Sequence, residues 1–144
     1  MIRVLFDRLL DLAAIDVDQS WHWPDSDHFS LEEVITAHQQ GLKSVDEPYG
    51  DTWKHPVLRL KDTEYHIRRI IYFLEHPDEI SSIEVDNSYV GANILPDCLI
   101  VDGHHRIAAG IILGLKYIDI NYGGRGDVED YISGRSDVRP FEIC

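Results

Sequence analysis

The order of apolar and polar positions divides the chain into short elements of changing period. From Arg3 to Ala14, the residues Val4, Leu5, Leu9 and Leu12 recur at helical spacing with Arg8 and Asp11 left to face water, which predicts an amphipathic helix. The segment from Asp16 to Phe29 has no period and is rich in Asp, Ser and Pro, so it reads as an ordered loop anchored by Trp21, Trp23 and Phe29. Its two His and two Asp between Trp21 and His28 match no common zinc spacing and read as solvated polar positions beside the aromatic anchors. Ser30 followed by Glu33 forms a capping box, and Gly41 supplies a stop, which predicts a helix over 31–40.

Beyond the punctuation of Pro48, Gly50 and Pro56, Val57 to Leu60 predicts a short strand. Asp62 or Thr63 then caps a helix whose apolar stripe is Ile67, Ile70, Ile71 and Leu74, with Arg68 and Arg69 on the far side as surface charge and Pro77 as the stop. Strands follow at Ile83 to Val85, at Cys98 to Val101, which is apolar throughout and reads as fully buried, and at Tyr117 to Ile120. A helix from His104 to Leu113, closed by Gly114, separates the last two, and Asp127 caps a final helix that ends before Gly134. The fold class is α+β: a small mixed sheet of the Val57, Ile83, Leu99 and Tyr117 strands with flanking helices, and no fixed-period repeat.

Charge changes this picture in one respect. The 144 residues suit one domain, but of the net −13, residues 7–51 carry −9, with eleven acids against Arg8 and Lys43. Residues 1–51 therefore read as an acidic helical extension on a core of residues 52–144, available either as a cover or as a surface for a basic protein partner. Such a balance repels phosphate backbones, so nucleic acid is not expected as a partner and a metal-dependent nuclease ranks below the other readings. Two cysteines, Cys98 and Cys144, make no disulfide framework, and neither a leader nor an apolar run of about eighteen residues is present, so the expectation is a cytoplasmic chain without a membrane partner. No G-x-S-x-G elbow is present, and Cys98 inside an apolar strand reads as an inert thiol.

The chemistry concentrates at Leu99-Ile100-Val101-Asp102-Gly103-His104-His105-Arg106, a strand, a tight turn and a helix start. Helix-start N–H groups lack intrahelical acceptors and lie at the positive end of the helix dipole, so they suit an anion. Arg106 can add a two-pronged contact to phosphate oxygens, His104 and His105 further donors or an acid or base near neutral pH, and Gly103 a place where the ligand meets bare backbone. On that reading a side chain at Gly103 would block the ligand more than it disturbs the fold. The turn Gly123-Gly124-Arg125-Gly126-Asp127 could close over a bound nucleotide from another strand end, or be a plain loop.

This D-G-H-H-R turn, followed by Ala108-Ala109, Leu113-Gly114 and the Tyr117 strand, resembles the core of the ParB/sulfiredoxin superfamily. The resemblance runs over about residues 56–122, with 102–114 its specific part, and implies nucleotide-phosphate binding at Gly103, His104, His105 and Arg106. Position 104 carries His where sulfiredoxins carry their catalytic Cys, which argues against sulfinic-acid reduction, and partition proteins continue into a basic helical domain. The free-serine kinases are the nearer branch, with Glu64 standing where they place an acid near the start of the first helix. The resemblance thus implies ATP or ADP as ligand, Mg²⁺ as a further cofactor, and a phosphotransferase or nucleotide hydrolase in which Glu64, Asp102 and His104 are the catalytic candidates, Glu64 or Asp102 as base or metal ligand. The reading from another class is a catalytically silent inhibitor or immunity-type protein that engages a basic partner through its acidic third.

Overall fold

A computed structural model describes residues 1–48, 61–86, 89–90, 93–94 and 99–140. In chain order the elements are β1 (Ile2–Leu5), α1 (Phe6–Leu12), α2 (Leu31–Gln39), α3 (Thr63–Glu75), β2 (Ile83–Asp86), β3 (Tyr89–Val90), β4 (Asn93–Ile94), β5 (Leu99–Asp102), α4 (His104–Leu113), β6 (Tyr117–Gly123) and α5 (Gly126–Ser133). A short 3-10 turn, Pro77–Glu79, follows α3. Four strands form one mixed sheet in the order β1, β6, β2, β5, with β2 parallel to β6 and the other two pairings antiparallel, while β3 and β4 pair as a separate ribbon. This is a small α+β fold, and among the described residues no helix is long and apolar enough to cross a membrane.

The first element differs from its prediction. Ile2 to Leu5 pair in register with Ile120 to Tyr117, and the helix begins only at Phe6. Four residues cannot stabilise a helical turn alone, whereas β-branched Ile2 and Val4 fit a pleated surface and gain the ladder bonds of β6, so tertiary pairing overrides the helical spacing. Arg8 does not face water either: its guanidinium donates to the carbonyls of Tyr131 and Ser136, both at 2.8 Å, and so fastens α1 to the end of α5. The strand predicted at Val57 to Leu60 and the thiol of Cys98 lie outside the described residues; among the described residues the fourth strand of the sheet is β1.

The sheet buries one row of side chains, Val4, Ile83, Val85, Ile100, Ile118 and Ile120, while Arg3, Glu84 and Val101 alternate onto the other face. Val101 is 59% exposed, so the apolar β5 run, the last strand in the order of the described sheet, is not buried on both faces. The buried row belongs to a single cluster that also holds Phe6, Leu9, Leu12, Trp21, Trp23, Phe29, Leu31 and Val34. Residues 1–48 thus supply a strand of the sheet and a large part of the core, and are not an appendage on it. The capping box at Ser30 forms as predicted, with Glu33 N–H donating to Ser30 Oγ at 3.1 Å and Ser30 N–H to the Glu33 carboxylate at 3.2 Å.

α3 begins at Asp62, whose carboxylate accepts Tyr65 N–H at 2.8 Å, but its inner face is rotated from the predicted stripe. Tyr65, His66, Arg69, Ile70, Ile71 and Phe73 are buried, whereas Ile67 and Leu74 are only partly covered. Arg69 is therefore not surface charge. It donates to the Asp46 carbonyl at 3.1 Å and lies over the rings of Tyr72 and Phe73. Arg125 holds the N-cap position of α5 without a side-chain cap bond, and Asp127 lies inside the first turn and accepts Val128 N–H at 3.0 Å.

Candidate functional site

β5 delivers the chain to Gly103, which takes φ +108° as the N-cap of α4, and Ile107 N–H closes the first turn on the Gly103 carbonyl at 2.9 Å. The N-cap residue is a glycine and supplies no side-chain cap, so among the described residues the N–H groups at the helix start have no side-chain acceptor from the N-cap. The turn forms one wall of a cleft of about 360 Å³ in which Asp102, Gly103, His104, His105 and Arg106 face Trp23, Arg69 and Phe73. Arg106 and Arg69 both lie on the ring of Phe73, at 5.0 and 4.6 Å from its centroid, an arrangement that places two guanidinium charges beside the helix start. Arg69 is engaged by backbone carbonyls, whereas Arg106 makes no salt bridge among the described residues and its buried Nε has no partner.

The five residues of the turn thus share one cleft, and Glu64 does not join them. It stands on the outer side of the first turn of α3, 58% exposed, in an ion pair with Arg68 at 3.5 Å. Arg125 is absent from the described lining of the cleft as well; it pairs with Asp127 at 2.6 Å, which holds that carboxyl below the usual carboxylate range. Gly103 has a different task from the one its sequence suggested. A Cβ there would come within 2.9 Å of Ile83 Cγ1, so the bare backbone makes room for the core beneath the turn.

Behind the cleft wall lies a chain of polar groups that the pattern of the sequence concealed. Asp25, its side chain 5% exposed, accepts from His66 Nε2 at 2.8 Å, and His66 Nδ1 is 2.9 Å from His105 Nε2. The Trp23 indole stacks on both imidazoles, 4.5 Å from His66 and 4.2 Å from His105, and Tyr65 meets both edge-on. The loop that carries Trp23 and Asp25 closes on itself through two Trp21–Phe29 backbone bonds, and Asp27 N–H docks it on Thr63 Oγ1 at 2.8 Å. Asp25 is therefore a buried partner, unlike the exposed His22 and His28 of the same loop. A signal for His66 did exist: it precedes Ile70 by four residues and Phe73 by seven, on one helical face. No sequence spacing links Asp25 to His66, or His66 to His105.

Burial lowers the pKa of His66, His104 and His105; the carboxylates Asp25 and Asp102 oppose this at His66 and His104, while neighbouring positive groups add to it at His105. The folded state therefore favours neutral imidazoles. In the unfolded chain they protonate near pH 6.5, so their contribution to stability is complete above that value and is lost as pH falls below it. Each fully buried imidazole contributes up to about 1.4 kcal/mol per pH unit in that window. Denaturant unfolding at pH 7.0, 6.0 and 5.2 is expected to show a falling midpoint with the steepest loss below pH 6.5, and a flat profile would contradict neutral burial.

No protein-family model, curated protein or solved structure matches the chain.

Proposed function

We propose that the cleft binds the phosphate groups of a nucleotide, ATP or ADP, in the manner of the ParB/sulfiredoxin-like turn that the sequence resembles. The observation that carries this reading is the glycine-capped start of α4 sharing one cleft with Arg106, whose buried Nε has no partner among the described residues. An anion there meets backbone N–H groups, a guanidinium and the helix dipole together, and Arg69 adds a second positive charge. Asp102 is exposed at the same wall, and in this reading it is the carboxylate that would hold Mg²⁺ or accept a proton in phosphoryl transfer. Among the described residues no group of three metal ligands occurs. Mg²⁺ is commonly held by one or two carboxylates together with substrate phosphates and water, and in this reading Asp102 would be its protein ligand. The ion would neutralise phosphate charge during transfer. His104, whose pKa burial lowers, is the acid or base in this reading, and Glu64 has no part in it.

Calorimetric titration with ADP and ATP, with and without Mg²⁺, tests the reading. Arg106→Ala should weaken binding about ten- to a hundredfold, the loss of a charge-assisted contact of roughly 1.5–3 kcal/mol, and unchanged affinity would remove the phosphate role. Asp102→Asn should abolish turnover while leaving most of the nucleotide affinity, because a base or metal ligand acts mainly on the transition state. A wild-type chain that binds nucleotide without turnover would point to the catalytically silent class.

A further inference from the structure

The three-membered chain behind the turn has a defined hydrogen-bond polarity, and its two ends belong to different parts of the sequence. Asp25 Oδ2 accepts Lys61 backbone N–H at 2.9 Å and Asp25 Oδ1 faces His66 Nε2. An ionised carboxylate only accepts, so His66 carries its proton on Nε2 and leaves a lone pair on Nδ1. The 2.9 Å contact from that Nδ1 to His105 Nε2 then requires the proton of His105 to sit on Nε2 as well. A lone pair on His105 Nδ1 is the arrangement that suits a ring in the first turn of α4, where backbone N–H groups gather positive charge.

We propose that Asp25 is a positioning residue for the phosphate cleft: through His66 it holds His105 as the neutral Nε2–H tautomer, so the N-terminal loop sets the hydrogen-bond polarity of the turn that forms the cleft wall. Its effect on ligand binding rests on the reading of the cleft as a phosphate site; the tautomer assignment does not. The side-chain geometry supplies a specific perturbation. In Asp25→Asn the amide oxygen must remain on Lys61 N–H, because a backbone N–H cannot reverse its role, which turns the amide NH₂ toward His66. His66 Nε2 then has to accept, its proton moves to Nδ1, His105 Nε2 accepts in turn, and His105 becomes the Nδ1–H tautomer. One carboxylate oxygen exchanged for NH₂ inverts both rings.

Long-range ¹H–¹⁵N correlation spectra of the whole ¹⁵N-labelled chain at pH 7.5 read the tautomers directly. The expected wild-type result is a protonated Nε2 and a bare Nδ1 on both His66 and His105, and the expected Asp25→Asn result is the reverse on both. A wild-type spectrum with either ring doubly protonated, or with either proton on Nδ1, would overturn the proposal, and that spectrum decides the assignment even where the variant does not fold. In the folded variant, unchanged tautomers would overturn it as well. ADP titrated with Mg²⁺ supplies the second arm: the affinity of Asp25→Asn should differ several-fold from wild type, because the inverted His105 ring replaces a lone pair at Nδ1 by an N–H beside the start of α4. Inverted rings with unaltered ADP affinity would refute the positioning role. If neither ADP nor ATP binds the wild type, the phosphate reading fails, while the spectra still uphold or refute the tautomer assignment.

Discussion

A chain shortened to begin at Thr52 is expected to be unfolded, with the circular dichroism of a disordered polypeptide and no cooperative thermal transition. The shortening removes β1, the strand that pairs with β6, and ten of the twenty-four described residues of the buried cluster, among them Phe6, Trp21, Trp23 and Phe29. Fully burying one such side chain stabilises a fold by about 1.5–3 kcal/mol, so the loss is on the order of 15 kcal/mol or more. A whole domain retains only about 5–15 kcal/mol of net stability. The cut also exposes the β6 ladder as a new sheet edge and leaves His66 without Asp25. A cooperatively folded product would show that the first third is an appendage after all. The buried state of Trp21, Trp23 and Phe29 bears equally on the partner reading, since aromatic anchors already used in the core are not available to a basic protein.

Gly103→Val is expected to lower the stability of the fold by about 3 kcal/mol or more, whatever it does to ligand affinity. Two independent effects combine at this position. A residue with a Cβ at φ +108° costs roughly 1–2 kcal/mol, more when β-branched, and overpacking against Ile83 adds about 1–3 kcal/mol. Gly114 provides the internal comparison. Its φ is also positive, at +66°, but a Cβ there meets nothing within 4 Å, so Gly114→Ala should cost only the backbone part, about 1 kcal/mol. Denaturant midpoints of the two variants at fixed pH measure the difference. Equal losses would show that Ile83 yields to a side chain at Gly103, and that the close contact does not hold the turn in place.

Both expectations reverse a reading that residue type alone favoured, and for related reasons. Composition marked residues 7–51 as a separate acidic segment, because charge is counted along the chain and does not register that Ile2 to Leu5 find β6 more than a hundred residues away. Gly103 was readable as a special backbone position, but what occupies the space beside it is a side chain from β2. The same limit appears on α3, where four aliphatic residues defined the apparent stripe. The buried face there includes His66 and Arg69, which are covered only because Asp25 and the carbonyls of Val45 and Asp46 satisfy them.

What the sequence by itself determined is local in origin. The capping box at Ser30, the cap at Asp62, the strand-turn-helix run through Asp102, Gly103 and His104, the stop at Gly114 and the α+β class all follow from preferences that act over a few residues. Tertiary structure alone decided which groups share the cleft. It placed Trp23, Arg69 and Phe73 opposite the turn, left Glu64 outside, and joined Asp25, His66 and His105 into one hydrogen-bonded chain spanning eighty residues of sequence. The physical reason is that burying a polar side chain is tolerated only where a partner arrives from another segment, and neither the identity nor the position of that partner is encoded in the neighbouring residues.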